Sequence, residues 1–322
     1  MKRRRLGWTD LEVSELSLGA MTFGTGMPPI ATVDEHLARA MADRAIAAGV
    51  NLIDTADVYS WGESEEILAA VLRAHRDELL VATKVGFGRS GSHDPGLSYA
   101  NVVAGAEESL RRLRIDRIDL FQLHRPDRSV PMEETLRALD DLVERGLVRY
   151  FGVSNFTAAE TAYAVGWQRA RERPPIAAVQ VYYSLVGRDV EHEIVPLCTR
   201  QDLGLLVWSP LASGFLARRE GGRRSSFAFP PVDPDVGVRA LDAVGAVADA
   251  RGVTLAQVSI AWLLAQPVVT SVIVGASTMT QLDDNLASAD LVLTPDELLR
   301  LDAATAPAPI YPVWWDRAMG LS

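Results

Sequence analysis

The chain has 322 residues, 48% hydrophobic and 23% charged, proportions that exclude global disorder and fibrous repeats and leave room for a large core. With 32 basic against 42 acidic side chains the formal charge is −10, so the overall field opposes a nucleic-acid partner, and the basic clusters Lys2 to Arg5 and Arg218 to Arg224 read as solvated surface runs. The single Cys198 excludes an internal disulfide and a thiolate metal cluster, and five scattered histidines offer no ligand spacing, so no metal is expected.

The basic start "MKRRRLGWTDLEVSEL" has no apolar stretch behind it, and nowhere do 18 apolar residues run together. A cytoplasmic protein without a membrane partner is the expectation. The N-terminal segment reads as a hairpin, "LSLGAM" (16 to 21) as a buried strand, and Asp34 to Ala48 as a helix. The alternation then recurs: strand 50 to 56 before helix 64 to 72, strand 78 to 85 before helix 99 to 113, strand 118 to 124 before helix 132 to 145. Strand 147 to 154 precedes helix 158 to 171, and strand 177 to 183 precedes helix 190 to 199. Strand 203 to 211 runs into a Gly/Pro/Arg-rich loop (213 to 237), and strand 270 to 277 precedes helix 281 to 286.

Eight near-continuous apolar strands, each followed by a helix, predict a parallel sheet covered on its outer face, closed as one (β/α)8 TIM barrel spanning residues 1 to 322 as a single domain. Two helical stretches before the last strand predict an extra helix after strand seven. The proline-rich tail with Tyr311, Trp314 and Trp315 is expected over the barrel mouth.

Catalytic groups of such barrels stand at the C-terminal strand ends. Asp54 and Tyr59 fall at the end of strand two, Lys84 at the end of strand three, and His124 closes strand four. Each alone has an ordinary explanation: Asp54 a turn cap, Tyr59 a loop aromatic, Lys84 and His124 surface or satisfied core groups. Together they say more, because a buried lysine wants a carboxylate. A lysine ammonium beside a phenol would lower its pKa from about 10, making the tyrosine a proton donor and acceptor near neutral pH.

At these residues the sequence resembles the aldo-keto reductase family, in "GVNLIDTADVYSWGESEEILAAVL", "VATKVG", "IDLFQLHRPD" and "VRYFGVSNF", in order and over nearly the whole chain. The resemblance implies carbonyl reduction, or the reverse oxidation of an alcohol or sugar hemiacetal. Tyr59 would be the general acid, Lys84 its tuner, Asp54 the partner of Lys84, and His124 the group orienting the carbonyl; Asp57 is then a loop residue. It also implies a nicotinamide dinucleotide, NADP(H) with NAD(H) possible, although no G-x-G-x-x-G follows a strand.

The matching cofactor positions are Met21 and Asp54; Ser154, Asn155 and Gln180 for the carboxamide; and Trp208 for stacking. Ser209, Leu211, Ser213 and Gly214 match the pyrophosphate loop, and Gly275, Ser277, Gln281 and Asn285 the adenosine end. Many members carry a lysine near Gly275 and an arginine at Gln281. This chain does not, and Arg219 with the helix start near Thr280 would have to meet a 2′-phosphate instead.

Substrate walls are expected from Met21 to Met27, Trp61, Phe87, Arg125, the 213 to 237 loop and the tail. Two other readings compete with the oxidoreductase. One is a cofactor-binding regulatory subunit similar to potassium-channel β subunits. The other is a Schiff-base lyase or isomerase, which would need Lys84 free of a carboxylate. Oligomeric state is not legible in the sequence.

Overall fold

The computed structural model describes residues 1–88, 95–219 and 229–321. The expected hairpin forms first, β1 (Arg3–Arg5) antiparallel to β2 (Glu12–Ser14). Gly7 sits at φ +55 where a Cβ would come within 2.6 Å of Asp202 O, so only glycine lets the hairpin seat this closely.

The barrel follows: β3 (Leu16–Gly19), α1 (Glu35–Ala47), β4 (Leu52–Asp54), α2 (Glu63–His75), β5 (Leu80–Val85), α3 (Tyr99–Leu113), β6 (Ile118–Leu123) and α4 (Met132–Glu144). Then come β7 (Val148–Ser154), α5 (Ala158–Ala170), β8 (Ala178–Tyr182), α6 (Ile194–Gln201), β9 (Gly204–Trp208), α7 (Pro234–Arg251), α8 (Leu255–Leu264) and β10 (Val269–Val274). β3 to β10 are parallel and close on themselves through β10 and β3. This is the (β/α)8 barrel, with α7 and α8 as the two helices predicted between strands seven and eight.

Strand ends differ from expectation by the residues at which pairing stops. β3 ends at Gly19 rather than residue 21, and His124 lies one residue past β6, although its N–H still donates to Val85 O at 2.8 Å. After β10 come α9 (Met279–Ala287) and α10 (Pro295–Thr305), which the sequence reading missed despite the Thr294/Glu297 capping box and a proline in its first turn. The tail ends in α11 (Val313–Ala318), with Trp314 and Trp315 exposed and the Tyr311 and Trp314 rings 6.0 Å apart.

The interior is layered by the two-residue period of the strands. Leu52, Ala82, Leu120, Ala178 and Leu206 pack with hairpin residues Leu6, Leu11 and Val13, closing the N-terminal end with apolar side chains. Two residues further along the same strands stand Asp54, Lys84, Gln122, Gln180 and Trp208. The hairpin's basic run is not simply solvated: Arg4 donates to Leu264 O (2.6 Å) and to Val269 O, and Arg5 pairs with Asp202. The Arg218 to Arg224 cluster and the 213 to 237 loop fall partly outside the described residues.

Candidate active site

Asp54, the last residue of β4, is buried and accepts three hydrogen bonds: from Lys84 Nζ at 2.5 Å, Gln180 Nε2 at 2.7 Å and Gln122 Nε2 at 3.2 Å. Lys84 is wholly enclosed, and its ammonium also donates to Thr55 O (2.8 Å) and to the Tyr59 hydroxyl (3.3 Å). A buried lysine is thus held by a carboxylate, a carbonyl and a phenol from one neighbouring segment. The His124 ring lies 5.7 Å from the Tyr59 ring and 4.7 Å from that of Phe87, edge-on to both.

The backbone explains how Tyr59 reaches Lys84 from five residues beyond Asp54. Asp57 N–H donates to Lys84 O, continuing the ladder past β4, and the chain then closes a tight turn over Tyr59–Gly62. Ser60 and Trp61 within it adopt φ of 48° and 59°, a left-handed pair costly for non-glycine residues. The turn is pinned by Ser60 Oγ donating to Phe23 O and Trp61 Nε1 to Gly26 O, both in the loop after β3.

Burial pushes the Tyr59 phenol up, and although Lys84 pulls against it the net direction is upward. Lys84 thus acts in the expected direction, but the burial that brings the ammonium close also takes away water that a phenolate needs, and the phenol does not fall below its ordinary value. Burial alone would depress the Lys84 ammonium, but Asp54 and Tyr59 overcome it and hold it above the ordinary lysine value. His124 goes well below the usual imidazole range, through burial first and then the Lys84 and Arg125 cations, so it is neutral and can donate from one nitrogen.

Asn155, at φ 61, joins three strand ends. Its amide donates to His124 O (3.0 Å) and Ser154 Oγ (3.1 Å), and its Oδ1 accepts from Trp208 Nε1 (3.1 Å). The Trp208 indole is therefore oriented from across the mouth, with the Tyr182 ring 5.3 Å away and the Phe229 ring stacked at 6.0 Å. Beyond it Ser209, Ala212, Ser213 and Gly214 all have positive φ, a tight turn in which Ser213 N–H donates to Ser209 Oγ and Gly214 N–H to Leu211 O.

Gly275, Ser277, Gln281 and Asn285 form a separate local group. Gln281 Oε1 accepts from Ser277 N–H (2.9 Å), and the Asn285 amide donates to Gly275 O (3.2 Å). Thr22, beside Met21, bonds Ala276 O and so ties this group to the loop after β3. Arg219 stands apart, paired with Asp249 of α7 at 2.8 Å. Gln122, which the sequence reading passed over, shares the Asp54 carboxylate; a glutamine two residues before His124, on the same face of the chain, was the available sign.

Aromatic, amide and small-residue positions converging on one end of the barrel fit a nicotinamide dinucleotide. No group of three or more metal-ligating side chains occurs among the described residues, and none of their helices is long and apolar enough to cross a membrane.

The model of the aldo/keto reductase family matches residues 15–306. A probable voltage-gated potassium channel subunit beta of Arabidopsis thaliana is 35% identical, over 97% of this chain and 99% of that protein. Versiconal hemiacetal acetate reductase of Aspergillus parasiticus is 33% identical over 97% and 99%, and aldo-keto reductase AMT2 of Alternaria alternata 34% identical over 93% and 90%. With its barrel, its Asp54–Lys84–Tyr59–His124 cluster and a match over nearly its full length, the chain belongs to the aldo/keto reductase family of oxidoreductases.

Proposed function

We propose that the chain is an NADP(H)-dependent oxidoreductase acting between an aldehyde or ketone and the corresponding alcohol or sugar hemiacetal, in a cytoplasmic setting. The observation that carries this reading is the Lys84 ammonium lying between the Asp54 carboxylate and the Tyr59 hydroxyl, beside a neutral imidazole. When bound, the nicotinamide supplies the hydride, chemistry no side chain can provide. Ser154, Asn155, Gln180 and Trp208 would hold its ring end, Ser209 to Gly214 the pyrophosphate, and Gly275 to Asn285 the adenosine.

Tyr59 then gives its proton to the carbonyl oxygen, and the positive charge of Lys84 stabilises the phenolate left behind. Asp54 keeps Lys84 charged and aimed at Tyr59, while the glutamine amides of Gln122 and Gln180 hold Asp54. Neutral His124 can donate a hydrogen bond to the same oxygen without competing as an acid. The carboxylate on Lys84 argues against a Schiff-base role, which needs a free amine.

Titration with NADPH and separately with NADH, read as quenching of tryptophan fluorescence, tests the cofactor; selective NADPH quenching followed by turnover in a carbonyl screen is expected. Binding of neither dinucleotide would sink the proposal. A second reading, a cofactor-binding subunit of a potassium channel, is favoured by the likeness to the Arabidopsis thaliana channel subunit. It expects dinucleotide binding with weak turnover of carbonyls or none.

A further inference from the structure

Arg125 follows His124 directly and forms no salt bridge with a carboxylate among the described residues, although its charge helps hold the Asp127 carboxyl low, and its guanidinium lies 5.0 Å from the centroid of the exposed Phe87 ring. That ring also packs edge-on at 4.7 Å against His124. Among the described residues, the neighbouring charged groups have partners of their own. Arg128 pairs with Glu160, Asp127 accepts from the Leu97 and Ser129 amides, and Lys84 is neutralised by Asp54. A cation stacked on an aromatic face loses little freedom on meeting an anion, because the ring already limits its rotamers. It is also close enough to depress the His124 imidazole.

We propose that Arg125 and Phe87 form an anion subsite at the mouth, and that the preferred substrate is a carbonyl compound bearing a carboxylate or phosphate group about one ring's breadth from the carbonyl. Phe87 sets the spacing: it stands between the imidazole that meets the carbonyl oxygen and the guanidinium that would meet the anion in bidentate fashion. The inference rests on the carbonyl-reducing reading of the site.

Two measurements on the purified chain separate the subsite from that reading. The first is binding of benzoate against benzamide, followed by ligand-observed NMR, which needs no turnover. Wild type should favour benzoate by about tenfold or more, Arg125→Gln should erase the preference, and Arg125→Lys should restore part of it.

The second is kcat/KM for 4-formylbenzoate, 4-formylphenyl phosphate and 4-formylbenzamide. Arg125→Gln should cost the anionic aldehydes about tenfold or more, chiefly through KM, and move the amide by about twofold or less. Whichever anion loses more identifies the natural group. Equal binding of benzoate and benzamide by wild type, or an anion preference that survives Arg125→Gln, overturns the subsite. Arg125-dependent benzoate binding without reduction of any aldehyde keeps the subsite and removes the reductase reading instead.

Discussion

Two ends of one candidate cofactor site are built on different principles. At the reacting end Asp54, Lys84, Gln122 and Gln180 come from four strands, are buried, and are bonded to one another across the barrel. At the far end Ser277, Gln281 and Asn285 bond within one loop and one helix, with Gly275 and Gln281 exposed. A cross-strand network in a dry interior fixes geometry and admits no partial loss, because each member's partner would be left unsatisfied. Local, wet contacts can be exchanged one at a time. Chemistry should therefore be nearly all-or-none in mutants, and cofactor preference graded.

The sharpest test removes one oxygen. Tyr59→Phe keeps the ring against His124 and deletes only the hydroxyl that Lys84 reaches. Turnover should fall by about 10² to 10⁴-fold, the usual worth of a positioned proton donor, with dinucleotide affinity unchanged in the fluorescence titration. A variant keeping most of its kcat would place the acid elsewhere.

Lys84→Met should reduce kcat heavily and also destabilise the fold, since Asp54 would stay buried without its cation; breaking such a pair costs about 3–5 kcal/mol, softened here by the two glutamine donors. Its pH profile gives the direction of coupling. Carbonyl reduction needs the protonated phenol, so the rate is present below the Tyr59 pKa and lost as pH rises through it. Lys84 pulls that pKa down against burial, so its removal should move the alkaline limb upward. An unmoved limb would mean that Lys84 does not tune Tyr59. Because His124 is already neutral, the wild-type enzyme should show no acid limb near the ordinary imidazole value.

Between the two ends lies Trp208. Trp208→Ala removes the stacking face, and Asn155→Ala removes its orienting acceptor together with the amide bonded to His124 O and Ser154 Oγ, so both should weaken dinucleotide binding, the first by about 1–3 kcal/mol if stacking on a nicotinamide resembles base stacking on other aromatics. Equal affinities would remove the stacking role.

The same contrast explains what could be read from the sequence. Asp54, Lys84 and His124 were visible because a charged or polar side chain at the end of an apolar strand breaks the pattern, and the strand period puts them on one inner surface. Gln122 broke it less and was missed, though it shares the same carboxylate. The net rise of the Tyr59 pKa was not legible either, since it depends on how completely a turn with two left-handed residues encloses the ring. Nor was the Arg219–Asp249 pair, whose partners lie 30 residues apart on a loop and a helix with no shared periodicity. α10 was lost for a simpler reason: its capping box follows the eighth strand, after the repeat is complete.

The smallest effect should come from the far end. Gln281 is the third residue of α9; its N–H donates to Thr278 Oγ and its side-chain oxygen takes the Ser277 N–H. Gln281→Arg forfeits that acceptor and sets a cation near a helix N-terminus, each costing about 0.5–1 kcal/mol. It also offers a guanidinium to a 2′-phosphate, a charge-assisted contact worth about 1.5–3 kcal/mol. The balance predicts that NADPH binding tightens by about tenfold or less while NADH weakens slightly. That opposite movement is diagnostic, because lost helix stability alone would weaken both dinucleotides together, and a change in neither would put the 2′-phosphate away from α9.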